Sequence, residues 1–186
     1  MTAAEPAGPP AALLLRDFVN TLDVDAGTEE LTDPGRLALW LHGRGLVPAD
    51  AAAAPADLDT ALDLREGLRA AMLAHHGPRT VPEPADHPAL DAVLAGLPLT
   101  VSLAGDGPAL VPAATGVRAG LGRLAAALME SAADGSWPRL KVCPESTCAW
   151  AFLDTSKNRS RTWCSMRVCG NRTKTRAYRA RRTAPA

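Results

Sequence analysis

Apolar side chains recur at helical spacing over the first three quarters of the chain. In LLLRDFVNTLD, Leu14, Phe18 and Leu22 stand at i, i+4 and i+8, one face of a helix running from Ala11 to Asp23. Thr32-Asp33-Pro34 supplies a cap residue and a proline for a first turn. The stretch RLALWLHGRG is therefore expected to be a second helix, ending at Gly43 or Gly45. Between Asp57 and His76, the positions Leu58, Leu62, Leu68, Met72 and Leu73 mark the longest helix. A short helix opens at Asp86-His87-Pro88 and runs through Leu94. A last one, VRAGLGRLAAALMESAAD, follows Thr115-Gly116 and ends near Gly135. The period changes in LTVSLAGDGPALVP, where two short apolar runs flank Gly105-Asp106-Gly107 and predict one β-hairpin. Residues 1–10, 47–56 and 77–86 are Ala/Pro/Gly-rich connections.

The pattern fails after Ser136-Trp137-Pro138, which reads as a hinge. The stretch AWAFLDTSKNRSRTW offers only Trp150, Phe152, Leu153 and Trp163 as core material. A unit of some 40 residues with so few apolar groups does not stabilise itself. Short strands are expected at Lys141-Val142 and Ala151-Phe152-Leu153, and a helix after Cys164. The expected division is an α-rich unit over residues 1–136 and a small unit over 137–186.

Charge follows the same division. The 186 residues sum to zero. Residues 1–138 carry 8 basic and 18 acidic side chains, whereas residues 139–186 carry 12 basic side chains against only Glu145 and Asp154. The neutral total is thus a −10 body joined to a +10 tail, an asymmetry that points to separate tasks. A hydrophobic content of 47% excludes wholesale disorder. No apolar run reaches 18 residues, so no membrane helix is expected. No Lys or Arg precedes the short apolar stretch near the start, and Asp17 follows it. This is not the pattern of a secretory signal, and a cytoplasmic location is expected.

All four cysteines lie in the basic part, at Cys143, Cys148, Cys164 and Cys169. Two C-x4-C pairs separated by fifteen residues give the pattern of a structural zinc site. Each short loop lets two sulfurs face one point, and the ion supplies the stability that the missing core does not, on the order of 10 kcal/mol in such peptides. Two disulfides or a redox-sensing dithiol are the alternatives. A reducing compartment disfavours the first, and the x4 spacing differs from the C-x-x-C of thioredoxin-like proteins. Four thiolates close the coordination sphere, so catalysis by the metal is not expected.

The run WCSMRVCGNRTKTRAYRARR resembles the CGNR zinc finger, named for the residues that stand here as Cys169-Gly170-Asn171-Arg172. In that family the finger follows an N-terminal helical domain called ABATE. The segment RDFVNTLD looks like that domain's DFVNT motif, and WLHGRGL and LREGLRA are similar to its recurring segments. The resemblance covers almost the whole chain. The residue pattern already sums to a mainly α protein of about five helices with a small β-hairpin, and the resemblance implies that it ends in a zinc-ribbon or treble-clef-like finger with a basic helix. The resemblance also implies a bacterial stress-induced transcription regulator, with the four cysteines as zinc ligands, a DNA-binding finger and an N-terminal domain that senses a small molecule.

The residues allow the same reading. Asn171, Arg172, Lys174, Arg176, Arg179, Arg181 and Arg182 follow the fourth cysteine, with no acid after Asp154. A helix over residues 165–182 would be about 27 Å long, with Arg172, Arg176 and Arg179 on one face, and Tyr178 and Met166 are expected to fix it to the zinc core. It suits a major groove or a phosphate ridge, and an A-form RNA backbone equally. An RNA- or ribosome-associated factor and a protein-interaction module are the other classes. The basic tail can also dock on the acidic body. In the body, Asp17 and Asn20 lie beside the apolar stripe and, with Arg65, are candidate ligand-binding residues; bracing a neighbouring helix is their alternative role. Neither G-x-S-x-G, a P-loop nor a dinucleotide fingerprint occurs, so the chain is not expected to be an enzyme. A homodimer is one route by which the body could alter how the finger is presented.

Overall fold

The computed structural model describes residues 8–76, 87–105 and 107–183, with the side chains from residue 180 onward excepted. The Pro-rich loop 77–86, most of the N-terminal tail and Asp106 of the expected turn lie outside the described residues. Among the described residues, six α-helices and three two-stranded antiparallel ribbons follow in chain order. The helices are α1 (Pro10–Val19), α2 (Pro34–Gly43), α3 (Pro55–Leu73), α4 (Pro88–Ala95), α5 (Gly116–Ala133) and α6 (Asn171–Thr183). The ribbons pair β1 (Leu22–Asp23) with β2 (Thr28–Glu29), β3 (Leu99–Ser102) with β4 (Ala109–Pro112), and β5 (Leu140–Val142) with β6 (Ala151–Leu153).

The helix starts follow the sequence. Asp33 caps α2 by accepting from the Arg36 amide at 2.9 Å, and Pro34 occupies the first turn. The Asp57 side chain accepts from the Ala54 amide at 2.9 Å and closes the start of α3. Helix α1 departs from expectation. It ends at Val19, where the Thr21 hydroxyl turns back to the Phe18 carbonyl at 2.8 Å. Leu22 leaves the helix and pairs with Glu29 in a ribbon the sequence did not announce, since two-residue strands leave no alternation to read. The buried face of α1 is Ala11, Leu15 and Phe18, with Leu14 only half-buried at its side.

Helices α1, α2, α3 and α5 enclose one apolar core around Leu15, Phe18, Leu41, Leu64, Leu68 and Leu124. Gly120 lets α5 approach α2, because a Cβ there would lie 2.7 Å from Val47 and 3.2 Å from Leu41. The β5–β6 ribbon belongs to this core through Leu140, Val142, Ala151 and Leu153. Polar pins hold it there. His75 Nδ1 and His76 Nε2 donate to the Leu140 and Val142 carbonyls, each at 2.6 Å. Buried Arg69 donates to the carbonyls of Ala149 and Val19, again at 2.6 Å each. The Asn20 amide bonds the Ala151 backbone in both directions, at 2.9 and 2.7 Å. No described helix is long and apolar enough to cross a membrane.

Candidate metal centre and its basic helix

The ribbon that closes the core also places the first cysteine pair. Cys143 follows β5 directly, and its amide donates to the Trp150 carbonyl at 2.9 Å, extending the ladder by one step. The Glu145 carbonyl accepts from the amides of Cys148 and Ala149, which turns the C-x4-C loop back on itself. The second pair arrives on an irregular stretch. Buried Lys141 organises it, donating to the Asp154 carboxylate at 2.7 Å and to the carbonyls of Arg159 and Arg161 at 2.6 and 3.1 Å. A π-helical turn, Met166–Gly170, then carries Cys169 into α6.

The four Sγ atoms lie within 4.8 Å of one another. Cys148 and Cys164 are 3.5 Å apart, and Cys164 and Cys169 are 3.6 Å apart. A disulfide needs about 2.05 Å, whereas four sulfurs at about 2.3 Å from one tetrahedral ion lie roughly 3.8 Å from each other. The donor set and its spacing fit zinc. The thiols show why they need a cation. Burial and the neighbouring thiols push Cys164 far above the usual thiol range and push Cys169 up to about 12. Burial also opposes ionisation of Cys143, but the amides of Cys164 and Glu145, together with the thiols of Cys164 and Cys169, lower that thiol. Several buried thiolates at one point repel, and a divalent ion reverses that balance. Phe152 and the half-buried Trp150 and Trp163 shield the sulfurs. Gly170 lets the Met166 side chain lie close over the turn, and a Cβ there would displace the Met166 sulfur and press on Trp163 at 3.1 Å.

The basic side chains divide into two groups. Arg172 donates both terminal nitrogens to Asp25 in the β1–β2 turn, at 3.0 and 3.2 Å, and reaches the Thr147 hydroxyl at 2.8 Å. Arg176 donates to Glu145 at 2.7 Å, and Thr173 does the same at 2.7 Å. The Glu145 side chain is fully buried, and these hydrogen bonds hold its carboxyl below the usual range. Asp25 is likewise lowered by its bond to Arg172. Two charged stitches thus fasten α6 to the chain behind it. Tyr178 is exposed and Met166 is half-exposed over Gly170, while the ion pairs of Arg172 and Arg176 tie the helix to Asp25 and Glu145. Asn171 donates to the Arg167 carbonyl within its own turn at 3.1 Å. Lys174 and Arg179 are exposed, and the side chains of Arg181 and Arg182 lie outside the described residues. Lys157, Arg159 and Arg167 are also exposed, and the structure shows no ion pair between them or Lys174 and a described carboxylate.

In the body, Asp17 pairs with Arg16 and Arg44, each at 2.6 Å, and lines a cleft of about 390 Å³ together with Asn20, Trp150 and Cys164. Arg65 is not on that cleft. It is buried between Glu29 at 2.7 Å, Glu66 at 2.9 Å and the Thr21 hydroxyl at 3.2 Å. Sequence reasoning passed over Glu145, Asp154 and Asp25. A signal existed for the first two, which are the only acids of the basic segment: two acids amid twelve bases are natural anchors. For Asp25 there was none.

Two family models match. The model for the CGNR zinc finger covers residues 139–182. The model for ABATE, described as "Putative stress-induced transcription regulator", covers residues 13–135. No curated protein matches the chain.

Proposed function

Starting from a chain that belongs to the ABATE family and carries a CGNR zinc finger, we propose a transcription regulator in which the zinc finger binds DNA and the helical body senses a small molecule. Residues 1–136 form the sensing unit and residues 137–186 the DNA-contacting unit. Cys143, Cys148, Cys164 and Cys169 hold one zinc ion, which fixes α6 to the ribbon. The observation that carries the reading is the set of exposed cations around this centre. Lys157, Arg159, Arg167 and Lys174 have no carboxylate partner among the described residues. They are available to phosphate, and Asn171, Arg179, Arg181 and Arg182 along α6 are proposed to join them in contacting DNA. Each phosphate neutralised steepens the salt dependence by about 0.9 in logarithmic slope.

Arg172 and Arg176 enter differently. Both point toward acids of the same chain, so they contact DNA only after leaving Asp25 and Glu145. This favours a masked state, in which a signal on the body frees part of the basic face. The test is selection of bound duplexes from a random pool by the zinc-loaded full chain. A recovered sequence preference, weakened in Arg167→Ala and Lys174→Ala, is expected. Tighter binding to structured RNA than to any selected duplex would replace the DNA reading with the RNA one. Asp25→Ala should tighten DNA binding if Arg172 is masked, and unchanged affinity would remove the masking step.

A further inference from the structure

Between α1, α5 and β4 lies a second cleft of about 750 Å³, within the range of small-molecule sites. Its floor is made of alanines on α1 and α5, including Ala11, Ala119 and Ala126, whose short side chains leave the space open. Leu14, Leu46 and Leu110 form apolar walls. Two guanidiniums stand on one rim. Arg44 is bonded to Asp17 through one terminal nitrogen and lies 4.9 Å over the Trp40 ring. Arg123 has a single long hydrogen bond, 3.4 Å to the Gly45 carbonyl, and no carboxylate partner among the described residues. Since a guanidinium carries five N–H groups, most of the donors of both side chains are unspent. Glu130 stands two helical turns from Arg123, about 10 Å along α5.

We propose that this cleft binds a small amphipathic carboxylate, with its anionic head on Arg123 and Arg44 and its apolar body along Leu14, Leu110 and Ala126. The ligand class follows from the walls. A polar head alone would leave the apolar trough wet, and an apolar molecule alone would leave the guanidiniums unmatched. A cationic head at this rim would face Arg123. The assignment rests on the reading of the body as a sensor and gives that reading a route to the finger. The Asp17–Arg44 pair lines this cleft and also the smaller one that reaches Trp150 and Cys164. An anion on Arg44 competes with Asp17, one helical turn from Asn20, whose amide holds β6 at Ala151.

The test is calorimetric titration of the zinc-loaded full chain with octanoate, octanol and octylammonium. Octanoate should bind, with octanol and octylammonium at least about tenfold weaker, the scale of one charged hydrogen-bonded contact. Arg123→Gln, an exposed position that leaves the core untouched, should weaken octanoate about tenfold and leave octanol unchanged. Ala119→Leu should fill the trough and lower binding of all three. Equal binding of octanol and octanoate, preference for octylammonium, or octanoate binding unaltered by both substitutions would overturn the ligand class. Duplex affinity measured with and without octanoate separates the two levels. Octanoate held in the cleft with unchanged duplex affinity would overturn the sensing reading while leaving the site.

Discussion

The helical body and the metal centre differ in what fills their interiors. The body is closed by leucines, a phenylalanine and a methionine contributed by four helices. The centre has four sulfurs, one phenylalanine and the edges of two tryptophans, and around them a buried lysine, a buried aspartate and a buried glutamate. Burial of apolar area is non-directional and tolerates small shifts, whereas metal ligation and buried ion pairs demand particular atoms at particular places. The body can therefore move a little without losing its fold. The finger is either assembled or not. The ribbon β5–β6 takes part in both: its Leu140 and Leu153 lie in the apolar core, while Lys141 and Phe152 face the metal side.

Zinc removal should break this comparison most visibly. Chelation, or Cys164→Ser, is expected to release about one zinc per chain and on the order of 10 kcal/mol of folding free energy from the finger. Far-UV circular dichroism should still show the helices of the body. Simultaneous collapse of the whole helical signal would mean that the core depends on the metal. Next in size is Asp154→Ala, which strands Lys141 in a buried site and should cost about 3–5 kcal/mol, read as faster zinc loss to a chelator. Burial alone would raise the Asp154 pKa, but its bonds to Lys141 and Ser156 hold it below the usual carboxylate range. Its stabilisation is therefore complete above the ordinary carboxylate pKa of about 4 and fades as the pH falls through the lower folded value. Asp154→Asn should flatten that acid limb. On the other side, Leu15→Ala should cost about 2–5 kcal/mol in the body with zinc stoichiometry unchanged. The smallest effect belongs to Arg172→Ala. The Arg172–Asp25 pair is exposed and screened by salt, so the melting temperature should barely move, while proteolysis near α6 increases at low salt.

The two regions were unequally legible in the sequence. Caps at Asp33 and prolines at the first turns located the helices, because a cap signal is local. The cysteine spacing located the metal site, because ligand geometry constrains spacing. The ribbon β1–β2 was invisible, since its strands hold two residues each and its partners in the fold, Arg65 and Arg172, lie 36 and 147 residues away from Glu29 and Asp25. The helical period places Arg172, Arg176 and Arg179 on one face, but the period does not say that the first two of them meet carboxylates of the same chain. That depended on Glu145 and Asp25, acids brought near by the tertiary fold.

The Asn20 amide has a consequence for how the chain survives its own synthesis. In β6 the outward N–H and C=O of Ala151 are the groups through which another strand would add itself to the ribbon. Asn20 imitates a peptide unit and occupies both. It leaves the ribosome 131 residues before its partner, so a body folded in order of synthesis holds the plug ready before the open edge exists. Aspartate at this position could accept but not donate, leaving one half of the edge unsealed and the newly made ribbon open to pairing with a neighbouring chain.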